Sequence, residues 1–564
     1  MRSFIIHLAF ILSFLPLVQT QAKIIHVPAD SSCIQCAING AIDGDTVLVA
    51  RGHYYERINF YGKTIFVASN FFFDNDTTTI DSTIIDADTS VLGVSDTGSV
   101  VVFVSSEDSN SVIEGFTIQN GIGTANPWSY RLGGGICCVS SSPTIRNNAI
   151  TSNSGTFGGG IFCDYSSLVI GNNTITGNFV SENGGGVYCT HSSPSIRQNV
   201  IGGNSAARDG GGIKCGYYSS PTVHNNIIIG NFAAGQPGGG GGAGGIYIDS
   251  YCEPTVTDNT ITGNSTNYYG GGIYCHYASP LITENTITGN SAGGGGGICS
   301  HLPNSSSISN NTISGNSAIG TGGGIYLIDS TPDVRNNTIT GNSARDGGGI
   351  RCSDSSPLII NNTIARNSAT ERGGGIGCAG YSSPTVRNNI ISNSLDGEGI
   401  TCEYASYPTI SYNDIWSNAD GNFYNCPVGV GDTTWGINFN GTPCDSFYNI
   451  IRDPLFADTI TFELLCNSPC IDAGDPNIYV PPDSGGCGID MGTHEYPYIL
   501  GDANGNSSTD IADVVFAVNY LFINGPPSCP YHAADTNCDG LVDIADVVCL
   551  INYLFLGGPL PCGF

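Results

Sequence analysis

Residues 133–153 read GGGICCVSSSPTIRNNAITSN, and residues 158–178 read GGGIFCDYSSLVIGNNTITGN. The phrase returns at 184–204 (GGGVYCTHSSPSIRQNVIGGN) and at 210–231 (GGGIKCGYYSSPTVHNNIIIGN). Self-similarity at a fixed period decides an architecture before any local propensity does, because each unit must bury its apolar face against the next. The aliphatic residue after the glycines gives the series Ile136, Ile161, Val187, Ile213, Ile246, Ile273, Ile298, Ile325, Ile350, Ile376 and Ile400. Its steps are 24 to 27 residues, except from Ile213 to Ile246, where the insertion GGGGGAGG lies.

Within each unit the apolar residues alternate over short stretches, as strands require, and show no helical period. Gly clusters and Ser-Ser-Pro supply the bends between strands. An Asn recurs at one register: Asn148, Asn173, Asn199, Asn226, Asn259, Asn285, Asn311, Asn337, Asn362, Asn389 and Asn413. Stacked at about 4.8 Å, such side chains can hydrogen-bond up and down a column inside a bend. These features imply an all-β chain, each unit being one coil of a single-stranded parallel β-helix. A Cys two residues past the anchor (Cys138, Cys163, Cys189, Cys215, Cys275, Cys352, Cys378 and Cys402) falls on the anchor's inward face. Ile248 and Leu327 replace it in two units. A packing position tolerates that and a metal or redox ladder does not, so the column is read as small buried side chains.

The ends read as caps. The opening IIHVPADSSCIQCAINGAIDGDTVLVARGHYYERINFYGKTI pairs a short helix with strands, and it resembles the start of secreted right-handed β-helix proteins of the pectate-lyase-like superfold. The helix would cover the first coil's open edge. Its CxxC, Cys33 and Cys36, has no second CxxC to complete a zinc site, which leaves a local disulfide or a buried helix face. DPLFADTITFELLCNSPCIDAGDP and IDMGTHEY resemble the closing segment of the same proteins. The expected organisation is 1–22 leader, 23–130 cap and first coils, 131–420 regular repeats, 421–498 C-terminal cap and 499–564 a small appended domain.

Bulk numbers narrow the partners. The net charge is -30, from 47 acids against 17 Lys and Arg. A chain this acidic repels phosphate backbones, so nucleic acid is a poor partner and divalent cations are better ones. Arg2, an apolar run from Phe4 to Val18 and Gln19-Thr20-Gln21-Ala22 form a signal peptide with cleavage expected after Ala22. The mature chain is thus expected to be secreted, extracellular or surface-associated, with no transmembrane segment. Export permits disulfides among 22 cysteines.

Residues 502–529 and 535–562 are two copies offset by 33 residues, DANGNSSTDIADVVFAVNYLF and DTNCDGLVDIADVVCLINYLF. In each, loop positions 1, 3, 5, 9 and 12 carry carboxylate or amide side chains, and position 7 offers its carbonyl. These are Asp502, Asn504, Asn506, Ser508, Asp510 and Asp513, then Asp535, Asn537, Asp539, Leu541, Asp543 and Asp546. Such a set can wrap a hard cation in oxygen, giving two calcium sites. Asp at position 12 followed by one helix resembles the type I dockerin repeat. Loop 1 has Ser507 where a turn Gly is usual and Asn506 where loop 2 has Asp539, so loop 2 is expected to bind more tightly. The resemblance implies a cohesin-like partner, contacted through Ile511, Ala512, Ile544 and Ala545. Cys529 and Cys562 occupy equivalent places, which admits a disulfide between them.

On the coils, alternation places the residues one past the anchor outward. Phe162, Tyr188, Lys214, Tyr247, Tyr274, Tyr326 and Arg351 form an aromatic stripe with two cations. Of these, Tyr188, Lys214, Tyr247, Tyr274, Tyr326 and Arg351 are the expected glycan contacts, since aromatic faces stack on sugar rings. Mutual stacking for stability is the competing use. Three past the anchor stand Asp164, Asp249, His276 and Glu403. Asp249 and His276 lie on adjacent coils and are the weak candidates for proton transfer. The reading that follows is a non-catalytic extracellular module, glycan-binding or structural, attached through calcium-dependent loops. The alternative is a carbohydrate-active enzyme, a polysaccharide lyase or glycoside hydrolase acting in polysaccharide breakdown.

Overall fold

A computed structural model describes residues 22–92, 98–235, 241–302, 305–477, 488–559 and 561. The expected leader lies outside them apart from Ala22, as do 236–240 of the glycine-rich insertion and Cys562.

The chain winds as a right-handed parallel solenoid. One coil shows the plan: Ile136–Val139 joins sheet I, Thr144–Arg146 sheet II, Ala149–Thr151 sheet III and Ser154–Phe157 sheet IV. Among the described residues the four sheets contain 14, 15, 14 and 11 strands respectively. Neighbouring coils stack without offset, Ile136 on Ile161 and Cys138 on Cys163, so like lies on like. Ile136, Ile145 and Ile150 point into the bore from three sides and are wholly buried, as their counterparts are in every following coil. Burying each such side chain contributes about 1.5–3 kcal/mol. The cysteine column lies in the same core, with Ile248 and Leu327 taking its place where the sequence substitutes them.

Corners are held by side chains that mimic backbone. The Asn148 amide N–H donates to Asn173 Oδ1 at 3.0 Å, while Asn148 Nδ2 donates to the carbonyls of Ile113 and Arg146. The same pattern runs to Asn413, whose N–H donates to Asn449 Oδ1. A second ladder, which the sequence reading missed, turns the chain from sheet III to sheet IV: Asn153, Asn178, Asn204, Asn231, Asn264, Asn290, Asn316, Asn342 and Asn367. A serine ladder turns it from sheet I to sheet II, with the Ser141 N–H donating to Ser166 Oγ and the Ser166 N–H to Ser192 Oγ.

The triple glycine has two jobs. Its first member, such as Gly158, sits in the left-handed region (φ 63°). Its second and third approach the next coil so closely that a Cβ on Gly159 or Gly160 would stand 2.5 or 2.6 Å from a carbonyl oxygen of Gly185 or Gly186. Glycine fits all three places without strain or clash, and the exceptions are few: Ala243 takes the first place in one coil (φ 57°) and Glu398 the second in the last.

At the N-terminal end the helix Ile34–Gly40 buries Ile34, Ala37 and Ile38 over the first coil, and Cys33 and Cys36 form a disulfide. Glu56 accepts the N–H groups of Ile34 and Gln35, capping that helix from the first coil. At the other end, helices Ile511–Ile523 and Ile544–Leu556 pack through Val514, Ala517, Val547 and Leu550. Cys529 pairs with Cys466 of the C-terminal cap. That closes the alternative of a Cys529–Cys562 bond, because the turn before Tyr531 lies against the cap. Tyr498 Oη, at the end of the cap, donates to buried Asp472 at 2.6 Å and fixes the point where the small domain begins. The small domain is thus bonded to the solenoid and not merely tethered.

Candidate functional site

The two C-terminal loops fold alike around their first and last carboxylates. Asp513 accepts the N–H groups of Asn504 (3.0 Å) and Asp510 (2.8 Å), and Asp502 accepts those of Asn506 (3.0 Å) and Ser507 (2.7 Å). In the second loop Asp546 accepts from Asn537 (3.1 Å) and Asp543 (2.8 Å), and Asp535 from Asp539 (3.2 Å) and Gly540 (2.9 Å). Asp510 and Asp543 cap the helices that follow, each in a reciprocal capping box with the last loop residue. Ser508 and Leu541 stand at position 7, exposed, where their carbonyls are the available oxygens.

Burial pushes the Asp513 carboxyl up, and the neighbouring Asp502 and Asp510 add to the rise. Asp546 is raised by burial too, with Asp535 and Asp539 adding to it. Among the described residues neither has a cationic partner, while His532 Nδ1 lies 3.3 Å from Asp535. Mutually repelling carboxylates ringed by amide, hydroxyl and backbone oxygens suit a hard divalent cation. The carboxylates are turned toward the loop amides, and among the described residues no three His, Cys, Asp or Glu side chains are gathered as a ready metal site.

The two loops do not differ in the strain of their turns. Each loop has two left-handed residues: Gly505 (φ 71°) and Ser507 (φ 69°) in the first, Cys538 (φ 54°) and Gly540 (φ 86°) in the second. Each therefore has one glycine and one strained residue, at swapped positions. Only the charge difference remains, three carboxylates against four.

The expected partner residues are accessible. Ile511 and Ile544 are each 53% exposed, and Ala512 and Ala545 are exposed beside them. Val515 and Val548, one helical turn on, are exposed as well and extend the same apolar face on both helices. Their spacing of four residues was the available signal.

The aromatic stripe on sheet I is not a surface. Its side chains point away from the bore, as alternation requires, but the ends of the sheet IV strands fold across them. Phe162, Lys214, Tyr247, Tyr274 and Arg351 are buried, and Tyr188 and Tyr326 are half-buried. Tyr247, Tyr274 and Cys299 form a second core with Ala243, with Tyr269 and Tyr326 packed against it. The single-layer picture of a coil hid this cover.

Asp249 and His276 do lie together, 3.7 Å apart, beyond hydrogen-bond reach. Asp249 has a nearer partner: Lys214 Nζ stands 3.2 Å from it, 3.0 Å from Asp209 and 3.8 Å from the Tyr247 ring centre. Burial opposes the charge on Asp249, but His276 and Lys214 outweigh it and hold the carboxyl well below the usual range. Asp209 also accepts the Gly242 N–H, so the cluster pins the flank of the inserted segment. A carboxylate held in this way is a weak base, and its place in the molecule is that of a strut. Glu403 is similarly engaged, by Arg351 and Arg372 at 3.3 Å each.

The exposed aromatics stand one corner further on. Tyr165, His191, Tyr218, Tyr251 and Tyr277 lie in the turns after successive sheet I strands, all in the left-handed region. Their rings stack, Tyr165 on His191 at 4.7 Å and Tyr218 on Tyr251 at 5.3 Å. Bulky residues with positive φ are strained, and such strain concentrates at functional positions.

Comparison with known proteins agrees with this architecture. The model of the right-handed beta helix region matches residues 60–228, 179–302 and 296–433, and that of the dockerin type I domain matches 500–555. No curated protein matches the chain. Among solved structures, a PL6 family alginate lyase, AlyGC, is similar at 15% identity over 75% of this chain and 55% of that one, with a TM-score of 0.37. Pectate lyase Pel9A is similar at 14% identity over 85% of this chain and 97% of that one, with a TM-score of 0.26. The chain thus spans little more than half the length of the alginate lyase. On its repeats, its sheets and the two family models, the chain belongs to the right-handed β-helix family and carries a type I dockerin domain at 500–555.

Proposed function

We propose that this protein is an extracellular glycan-binding module, held to a cohesin-bearing partner by its calcium-loaded dockerin domain, with the solenoid as a rigid non-catalytic stalk. Type I dockerin domains bind calcium and dock on cohesins, so attachment follows from the domain itself. The paired loops carry the reading: Asp513 and Asp546 are buried against like charges, with no cationic side chain beside them among the described residues. Calcium would be held by Asp502, Asn504, Asn506, Asp510, Asp513 and the Ser508 carbonyl, and by Asp535, Asn537, Asp539, Asp543, Asp546 and the Leu541 carbonyl. It would supply the positive charge that lets the carboxylates close. Loop 2 binds more tightly, through its extra carboxylate alone. Ile511, Ala512, Val515, Ile544, Ala545 and Val548 form the docking face.

The glycan contact moves from the buried stripe to the exposed corner column of Tyr165, His191, Tyr218, Tyr251 and Tyr277, where ring edges and hydroxyls are accessible. Asp249 belongs to the Lys214 strut, which supports the non-catalytic side of the reading. Incubating the full chain with a panel of plant and algal polysaccharides tests it. Retention on a glycan without new chain ends is the expected result. Chain cleavage by the purified protein would replace the module with a lyase or hydrolase.

A further inference from the structure

Sheet I ends in the two-residue strand Phe423–Tyr424, which lies parallel on Ile400–Cys402 with Phe423 over Ile400 and Tyr424 over Thr401. Among the described residues no further strand of the sheet is stacked beyond it. A coil at the end of such an array has one neighbour instead of two, and this is where a stacked array frays.

Two thiols meet at this end. Cys402 closes the inward cysteine column and is buried in the bore. Cys426 comes back to it because Asn425, directly after the strand, takes a left-handed turn (φ 52°). Cys426 Sγ then stands 3.2 Å from Cys402 Sγ and 3.6 Å from the Ile400 carbonyl oxygen. The sulfurs are thus closer than the coil step of about 4.8 Å that separates residues stacked in register. Both are free thiols in the structure. Cys426 also differs from the column in access. It is half-buried where it packs on the end of the core, whereas Cys138, Cys163, Cys189 and Cys215 are wholly buried.

We infer that Cys402 and Cys426 are a site of oxidation, joined in the mature chain by a disulfide that clamps the terminal coil onto the solenoid. The disulfides Cys33–Cys36 and Cys466–Cys529 near its two ends belong to a protein that folds in an oxidising compartment. Closing the bond brings the sulfurs from 3.2 Å to about 2.05 Å. The oxidant is a protein disulfide of the thiol-exchange class. The Cys426 thiolate, the accessible one, attacks one sulfur of that disulfide and displaces the other as a thiolate. The Cys402 thiolate then attacks Cys426 Sγ in the mixed disulfide and displaces the second. This chain loses two electrons and two protons, and the oxidant's disulfide becomes a dithiol. The hydrogen bond with Cys402, and then burial, push the Cys426 thiol up, so exchange without a catalyst is slow. The wholly buried cysteines of the column lack this access and stay as thiols.

The test is peptide mapping of the full chain, produced by secretion, purified without reductant and containing the Cys466–Cys529 link. Free thiols are alkylated under denaturing conditions and the chain is cut after aromatic residues, of which Tyr404, Tyr407, Tyr412 and Trp416 lie between the two cysteines. The expected product is a linked pair of peptides carrying Cys402 and Cys426, lighter than the free peptides by two hydrogens, with Cys163 and Cys189 alkylated in the same digest. Cys426→Ser, at a half-buried place that tolerates a hydroxyl, should lower the unfolding midpoint by a few degrees in buffer without reductant. Reductant should bring the wild type down to the variant. Alkylation of both Cys402 and Cys426 in the wild type, a link from either to another cysteine, or a midpoint difference that reductant leaves unchanged would overturn the clamp.

Discussion

Lys214 Nζ lies 3.2 Å from Asp249 and 3.0 Å from Asp209, on a part of sheet I covered by the next layer of strands. Replacing the cation by Met leaves two carboxylates facing each other in a nearly dry site. Loss of one partner from a buried ion pair costs about 3–5 kcal/mol. Lys214→Met should therefore lower the stability of the solenoid by an amount of that order in urea unfolding. Asp249→Asn, which leaves Lys214 its bond to Asp209, should cost less. Equal and negligible losses would show that the cluster is not a strut.

The asparagine ladders predict a different pattern. Asn285 donates to Asn311, Val256 and Thr283, and accepts from Asn259, all within a buried corner. Asn285→Ala removes these bonds and leaves carbonyl groups unpaired, a loss of about 1–3 kcal/mol. Amide exchange should quicken at Asn259 and Asn311, the two coils that flank the gap, before it changes elsewhere. Uniform quickening along the solenoid would instead mean that the coils open as one unit.

The C-terminal cap is expected to weaken as pH rises. Burial pushes Asp414 up to about 8, against the Arg452 N–H and Cys470 thiol that stabilise its charge. It also pushes Glu495 up to about 7. In the window between about pH 4 and pH 8 the folded cap holds protons that the unfolded chain has released. Stability contributed by these groups is therefore complete below about pH 4 and declines up to about pH 8. Asp414→Asn should flatten the upper part of that slope in unfolding measured at pH 5, 6.5 and 8. A wild-type cap that gains stability over the same range would contradict the assignment.

Loop strain gives a prediction of opposite sign. Ser507 holds a left-handed conformation that glycine adopts without steric cost. Ser507→Gly should strengthen calcium binding in loop 1 by a few-fold, equivalent to about 0.5–1 kcal/mol. Calorimetric titration of the full chain would read it as a narrowing of the gap between two sites. An unchanged isotherm would mean that the strain is absent in the calcium-loaded loop.

Much of this architecture was legible because a repeat averages out local ambiguity. One anchor, one Asn and one Cys column fixed the coil, the inward face and the stacking register. The second ladder at Asn153 was equally visible, but its residues end an Ile-Thr-Gly-Asn phrase that reads as a loop. What could not be read was the cover over Tyr274. Alternation tells which way a side chain points from its own sheet, but not what another strand of the same coil lays across it. The paired loops were legible residue by residue because an oxygen donor set is written in side chains. Their turn strain was not, since Cys538 gives no sign of a positive φ.

Calcium-dependent docking is tested by calorimetric titration of the full chain with a type I cohesin, in calcium and in excess chelator. It predicts binding in calcium, loss of that binding in chelator, and loss in the Asp513→Asn, Asp546→Asn double variant while the solenoid's unfolding transition stays in place. Binding of equal strength in chelator, or no binding in calcium to any cohesin of this type, would contradict it.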